Sequence, residues 1–479
     1  MTVERSITNN AMVAGLNDSV AFYVRLIEGA YIVHDRSSGL QMLTNWPRHI
    51  VLGSEDQPAD AALVKRLAKG YVAISRSVID SMRFGASSAQ SDGAVARLLA
   101  AGWLRLKIEV DGVGWLAIRP RTTPTGSFPR GRSVNPMTVS RFLILHRVGE
   151  SWLADAPHSW CDLVVSSARV LRRIEEAGNG NKDSCCLDEL LERILVWSGV
   201  LVPEGSEDDT LERAQWSPHE LWFHSTTRRY GRVGNYGGTF WASGRFDPPA
   251  FQPKGHVAAD VVELDDFDET ASRPSFGTLY DVTERRRSVR RHSVSEPITK
   301  KQLGDFLYRT MRLRALHTDQ GFEYANKPYP SGGSAYEIET YLLVRSVRGV
   351  QPGLWRYDSQ MHRLECIREG LDDPHVMALL RTITKSSTES EPPQVAVYLA
   401  PRFSRIMWKY EQIGYSVMLK NVGVVMAMMS LVATDMGLAY CAIGSGDSEA
   451  FCRAARVDPF ECDSIGELIL GTRGDSDDA

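Results

Sequence analysis

Trp408-Lys409-Tyr410-Glu411-Gln412-Ile413-Gly414-Tyr415 leads into a long apolar segment that runs from Val422 to Thr434 and closes at Gly437. Val422, Val425, Met426, Met429, Val432, Ala433 and Met436 recur at helical spacing, so this face of the predicted helix is core or a subunit interface. The methionines read as packing groups. The apolar run is shorter than the ~20 residues that cross a bilayer. Lys420 and Asp435 flank it, which predicts a buried helix with no membrane span. Leu438 to Ile443 then reads as a buried strand, and Gly444-Ser445-Gly446-Asp447 as a turn.

Three more segments carry chemistry on either side of this one. Arg285-Arg286-Arg287-Ser288-Val289-Arg290-Arg291 offers guanidinium forks, which suit phosphate through paired charge-assisted hydrogen bonds, and Ser288 adds a neutral donor. Taken alone, such a run is more often a solvated surface. Lys327-Pro328-Tyr329-Pro330-Ser331-Gly332-Gly333-Ser334 has two prolines that fix the chain and two glycines that leave backbone open to a planar ligand. It leads into the strand Ile338 to Val344. Ile465 to Gly474 reads as a strand ending in Gly471-Thr472-Arg473-Gly474, where one more arginine can meet an anion.

The chain has 479 residues, enough for about two to four domains. Its 55 basic and 59 acidic residues give a net charge of −4, which argues against a general nucleic-acid binder. Seven cysteines with no Cys-x-x-Cys suggest neither a disulfide framework nor a structural zinc site, and no metal is expected. No basic segment followed by an apolar core opens the chain, so the expected location is cytoplasmic. In the front half, a helix capped by Asp92 and ended by Gly102 precedes two strands, Trp103–Val110 and Val113–Ile118, joined by Asp111-Gly112. A helix followed by a hairpin has the shape of a winged-helix module, placed over residues 1–125. A second such module is expected over 135–250, with a hairpin from Phe142 to Ala154 and a helix over Asp188–Leu195 before Val200-Leu201-Val202. Neither module is basic, so a peptide laid along an exposed strand edge fits better than DNA; modules that serve only for packing are the alternative. An acidic, Pro-containing linker over 251–274 precedes a third domain over 275–479. His224, near Arg228, Arg229 and Arg232, reads as a surface or structural histidine.

In order, Arg-Arg-Ser-x-Arg, Pro-Ser-x-Gly, Lys-Tyr-x-x-x-Gly-Tyr, Gly-x-Gly-Asp and a terminal Gly-x-Arg resemble the nitroreductase-like flavoenzymes. The Lys409-Tyr410 pair narrows the resemblance to the McbC/SagB-type azoline dehydrogenases, the thiazoline and oxazoline oxidases of ribosomal peptide natural-product pathways. Lys409 to Ser416, continuing through Leu419-Lys420-Asn421-Val422-Gly423, is similar to the thiopeptide-cluster branch. The resemblance covers about residues 275–474. It implies an α+β fold: a nitroreductase-like FMN-binding C-terminal domain preceded by the two winged-helix-like modules, with FMN at a homodimer interface. Carried over, Arg286, Arg287, Ser288 and Arg290 hold the FMN phosphate and ribityl chain, and Arg473 completes the phosphate site. Pro330, Ser331 and Gly332 reach the flavin from the partner subunit, and the Gly444-Ser445-Gly446 turn presents amides near its N5 edge. Lys409 and Tyr410 match the catalytic pair.

The implied substrate is an azoline-containing precursor peptide whose leader the front modules clamp, with a cyclodehydratase as partner. Two positions depart from the pattern. Tyr336-Glu337-Ile338-Glu339 stands where some members have Tyr-Pro-x-Glu, and Asn421-Val422-Gly423-Val424 stands where many have Asp-x-Gly-His. Two other readings remain: a small-molecule FMN nitro- or quinone reductase, and a non-catalytic flavin-bound scaffold of a modifying complex.

Overall fold

A computed structural model describes residues 20–474 apart from 36–39, 46–47, 55–58, 81–90, 127, 130, 177–185, 230–236, 254–259 and 273–276. The chain forms two units that meet in sequence at Val233 and Gly234.

In the first unit, Leu104–Val110 alternates apolar and charged residues, and its apolar side is buried. It pairs with Val113–Pro120 through a two-residue turn in which Asp111 (φ 51°) and Gly112 (φ 75°) are both left-handed, the backbone that matches strand twist in a tight hairpin. A second hairpin joins Ile144–Val148 to Ser151–Asp155. The two hairpins, expected in separate modules, lie in one seven-stranded sheet among the described residues. Its order is Val72–Ile74, Val20–Leu26, Leu104–Val110, Val113–Pro120, Cys161–Val165, Ser151–Asp155, Ile144–Val148. One core, including Val24, Leu67, Leu163 and Leu195, runs beneath both.

The second unit is a three-layer arrangement. Its sheet runs Val261–Glu263, Arg363–Glu369, Gly353–Asp358, Ile338–Val344, Val395–Pro401, Gly466–Gly471, Ala439–Ile443, every neighbouring pair antiparallel. Successive side chains of a strand point to opposite faces. Leu342, Val397, Leu399, Leu468 and Leu470 therefore meet the helices Lys300–Met311 and Gly414–Asp435 on one face. Leu343, Ala396, Ala400 and Ile469 meet Pro374–Ser387 and Ser448–Ala455 on the other. Burial on both faces explains why Val395–Pro401 is an unbroken buried run.

The helix Gly414–Asp435 is long and apolar enough to cross a membrane, yet Val422, Val425, Met429 and Ala433 are buried in this core. The sequence left that face as core or interface; it is core. Leu419, Gly423, Val424 and Ala427 point away from the sheet and are exposed. The helix sits so close to the sheet that a Cβ at Gly466 would lie 2.5 Å from Val422 Cγ1. Gly466→Ala is therefore expected to cost about 1–3 kcal/mol through overpacking. A urea midpoint equal to that of the parent protein would contradict this packing.

Two boundaries differ from the sequence expectation. Residues 234–250, placed with the second front module, belong to the second unit. The acidic linker contributes the edge strand Val261–Glu263, because Val262 pairs with Leu364 and turns its side chain toward the core.

Candidate active site

Lys409 follows the short helix Phe403–Met407 and precedes the helix Gly414–Asp435. It is 9% exposed. Its Nζ donates to the Gly333 carbonyl at 3.2 Å. Three rings surround the ammonium, with centroids at 5.0 Å (Tyr324), 5.2 Å (Phe240) and 5.6 Å (Tyr410). Burial pulls the Lys409 pKa below the ordinary lysine range. Burial, and then Tyr324, pushes the Tyr410 phenol up. The two polar ends converge at Gly333, where an added Cβ would lie 2.4 Å from Tyr410 Oη and 2.9 Å from Lys409 Nζ. Gly333 is also left-handed, at φ 61°. Only glycine leaves both groups room there.

A strap formed by residues 238–251 crosses this site. Phe240 N donates to Lys409 O at 3.1 Å, and Trp241 Nε1 to Met407 O at 2.5 Å. Trp408 Nε1 donates to Phe246 O at 3.0 Å. A Cβ on Gly238 would meet Lys409 Cε at 2.8 Å, so the strap lies directly on the lysine stem.

Two buried arginines hold the strap down. Arg405 donates to Pro249 O and Ala335 O, both at 2.7 Å, and to Glu323 O at 2.5 Å. Arg402 donates to Ala250 O at 2.9 Å, to Phe251 O, and to Glu339 at 3.1 Å. Prolines 248 and 249 carry carbonyls but no N–H, which suits the part of the strap that faces the two arginines and accepts from Arg405 through Pro249 O. Arg405 is wholly buried, and burial brings its pKa down to about 10.

The residues singled out from sequence fall into two groups. Pro330, Ser331 and Gly332 lie beside Lys409 and Tyr410, in the loop that ends at Gly333. Gly332 packs on the first half of the central helix, its N–H donating to Asn421 Oδ1 at 3.1 Å. Arg286, Arg287, Ser288 and Arg290 lie elsewhere. They are exposed on an extended stretch pinned by Val289 N to Tyr440 O at 2.8 Å. Tyr440 in turn donates to Met426 O at 2.8 Å, further along the central helix.

Arg473 joins this second group, because His292 bridges to Arg473 and Ser293 N donates to Thr472 O at 3.1 Å. Arg473 Nε is buried without a hydrogen-bond partner. Burial, and then the Arg345 charge, lowers His292 to about 4, so its imidazole is neutral. Gly444, Ser445 and Gly446 follow the strand Ala439–Ile443 in an exposed turn. Gly446 faces Glu467, whose Oε1 would stand 2.5 Å from an added Cβ.

Sequence reasoning missed Gly238, Phe240 and Tyr324. The aromatic and proline cluster Phe240, Trp241, Phe246, Pro248, Pro249 was the available signal, since so much apolar surface is unusual in a free linker. His224, on the first unit, is exposed and lies 5.5 Å from the Trp216 ring, as a surface histidine would.

The sequence pattern of the nitroreductase family matches residues 283–469. A protein of Methanocaldococcus jannaschii named as a nitroreductase, MJ1384, is 30% identical over 167 residues, covering 35% of this chain and 78% of that protein. The trifolitoxin-processing protein TfxB of Rhizobium leguminosarum bv. trifolii is 29% identical over 150 residues. That alignment covers 31% of this chain and 40% of TfxB. Among solved structures, a nitroreductase-type protein from Anabaena variabilis aligns at a TM-score of 0.37 and 20% identity, over 51% of this chain and 46% of that one. A chain of the E. coli microcin synthetase McbBCD complex aligns at 0.34 and 19%, over 51% and 90%.

Proposed function

This chain belongs to the nitroreductase family, and on that premise we propose that it is an FMN-dependent dehydrogenase. In this reading it oxidises thiazolines or oxazolines of a ribosomally made precursor peptide to thiazoles or oxazoles, in a thiopeptide-like pathway. The observation that carries the reading is the desolvated Lys409 beside Tyr410. The similarity to a trifolitoxin-processing protein supports a peptide substrate.

The residues present fit a phosphorylated flavin. Arg473 Nε is a buried donor without a partner, and Arg286, Arg287, Ser288 and Arg290 add exposed donors on the neighbouring stretch. These residues would hold the phosphate and ribityl chain; Pro330, Ser331, Gly332 and the Gly444-Ser445-Gly446 turn would border the ring. When bound, FMN supplies the acceptor for the hydride that leaves Cβ of the azoline.

Lys409 removes the Cα proton. Its lowered pKa raises the share of free amine near neutral pH, and the Gly333 carbonyl orients the Nζ. Tyr410, kept protonated by burial, donates to charge developing on the ring. The strap and its Phe240 ring exclude water from the lysine.

A second copy of the chain covers the exposed apolar face of Leu419, Gly423, Val424 and Ala427, giving a homodimer. The shared sheet of the first unit takes the leader as an added strand. Ile144–Val148 lies at a sheet edge with Leu145 and Val148 exposed, which suits that pairing. A cyclodehydratase supplies the azolines, and the location is cytoplasmic.

Similarity to MJ1384 favours a second reading, a small-molecule nitro- or quinone reductase. Mass spectrometry separates the two. Incubating an azoline peptide with protein, FMN and oxygen is expected to remove about 2 Da per ring, one proton plus one hydride. Turnover of nitroaromatics with NAD(P)H and an untouched azoline peptide would reverse the assignment.

A further inference from the structure

Glu337 is wholly buried, one residue before the strand Ile338–Val344. Its Oε1 accepts from Asn421 Nδ2 at 2.8 Å, and its Oε2 from Ser331 Oγ at 3.2 Å. The same Asn421 carboxamide donates to Ser331 Oγ at 3.2 Å and accepts the Gly332 N–H on Oδ1 at 3.1 Å. Tyr336 N also donates to Ser331 Oγ, at 3.2 Å. A hydroxyl has one proton and two acceptor lone pairs. On Ser331 all three are used inside the chain, and so is the Gly332 N–H. What this loop brings to the site is therefore a shape.

The shape is strained. Gly333 (φ 61°), Ser334 (φ 53°) and Tyr336 (φ 47°) are all left-handed, two of them without the freedom of glycine. Such backbone persists only where its surroundings impose it. It also places the Gly333 carbonyl 3.2 Å from Lys409 Nζ. A buried carboxylate costs several kcal/mol even when well bonded, so a latch of this kind is a poor device for stability alone.

We propose that Glu337 is a positioning residue for Lys409: with Asn421 it forms a buried latch that holds the Ser331–Tyr336 turn and, through the Gly333 carbonyl, the lysine. The inference rests on the reading of Lys409 as the group that takes the proton. Glu337 touches neither the lysine nor any reacting atom; it acts through the loop.

The latch has a polarity that can be reversed. In Glu337→Gln/Asn421→Asp the amide and the carboxylate exchange places: the bond between residues 337 and 421 re-forms with donor and acceptor swapped, Ser331 Oγ can still donate to residue 337 and the Gly332 N–H to residue 421, and only the bond from residue 421 to Ser331 is lost. Asn421→Asp alone sets two carboxylates 2.8 Å apart. Glu337→Ala removes both acceptors.

The test is competitive acetylation of the full-length, flavin-free protein across pH, with the Lys409 midpoint read by peptide mass spectrometry against Lys385 as an internal reference. Thermal melts report the fold of each variant. The Lys409 midpoint is expected to rise above the parent value in Glu337→Ala and in Asn421→Asp, as the loop releases the amine to water, and to fall back toward the parent value in the double variant. A midpoint that stays or falls in Glu337→Ala, or a double variant that matches the singles, would overturn the proposal. No substrate is used, so a wrong assignment of the azoline reaction leaves this result intact, and a failed latch leaves that reaction open.

Discussion

Lys409→Ala is expected to lower azoline oxidation about 100- to 10,000-fold, the usual range for removing a positioned acid or base, with FMN affinity unchanged. The lysine sits among Phe240, Tyr324 and Tyr410 with one carbonyl partner, and among the described residues no carboxylate acts on it that could take over proton removal at that position. Lys409→Arg should fail nearly as badly, because a guanidinium keeps its proton at any working pH. The pH profile gives the sign. A base must be neutral to act, so kcat/KM rises as Lys409 deprotonates. Burial lowers its pKa, so that rise falls below the ~10.4 of a free lysine. The limb should disappear in Lys409→Ala. Oxidation at the parent rate with Lys409→Ala and Tyr410→Phe variants in the assembled pathway would favour the scaffold reading and remove the catalytic one.

The largest effect on stability is expected at Arg405. Arg405→Met keeps much of the stem but deletes a guanidinium whose donors satisfy Pro249 O, Ala335 O and Glu323 O. Each buried carbonyl left without its donor typically costs about 1–3 kcal/mol. Here the loss also frees the strap, since Pro249 is tied to the site through this side chain. Urea unfolding followed by tryptophan fluorescence reports it, because Trp241 and Trp408 both bond across the strap. An unfolding free energy within a few tenths of a kcal/mol of the parent would mean that the buried guanidinium does not anchor the strap.

Much of the candidate site was legible without coordinates because its signals are local. Lys409-Tyr410 adjoins its own helix, the helix announces its buried face by spacing, and the arginine run and Gly471-Thr472-Arg473-Gly474 are contiguous words. Alternation likewise marked the hairpin Leu104–Pro120, whose inward residues are buried as the pattern requires. The shared sheet of the first unit was not legible. Nothing in the residues of Val113–Pro120 says that its free edge will take Cys161–Val165 as a partner.

The sequence by itself determined which residue types could do chemistry and which elements would carry them. Local periodicity and backbone preference decide those matters over a few turns of chain. Tertiary structure alone decided that Trp241 would bond to Met407, 166 residues away, and that Glu337 and Asn421 would close on Ser331. It also turned residues 238–250, which the sequence placed with the second front module, into the wall of a lysine site. The physical reason is that a buried arginine or carboxylate must have its hydrogen bonds satisfied, and the groups that satisfy it are chosen by proximity in the folded chain.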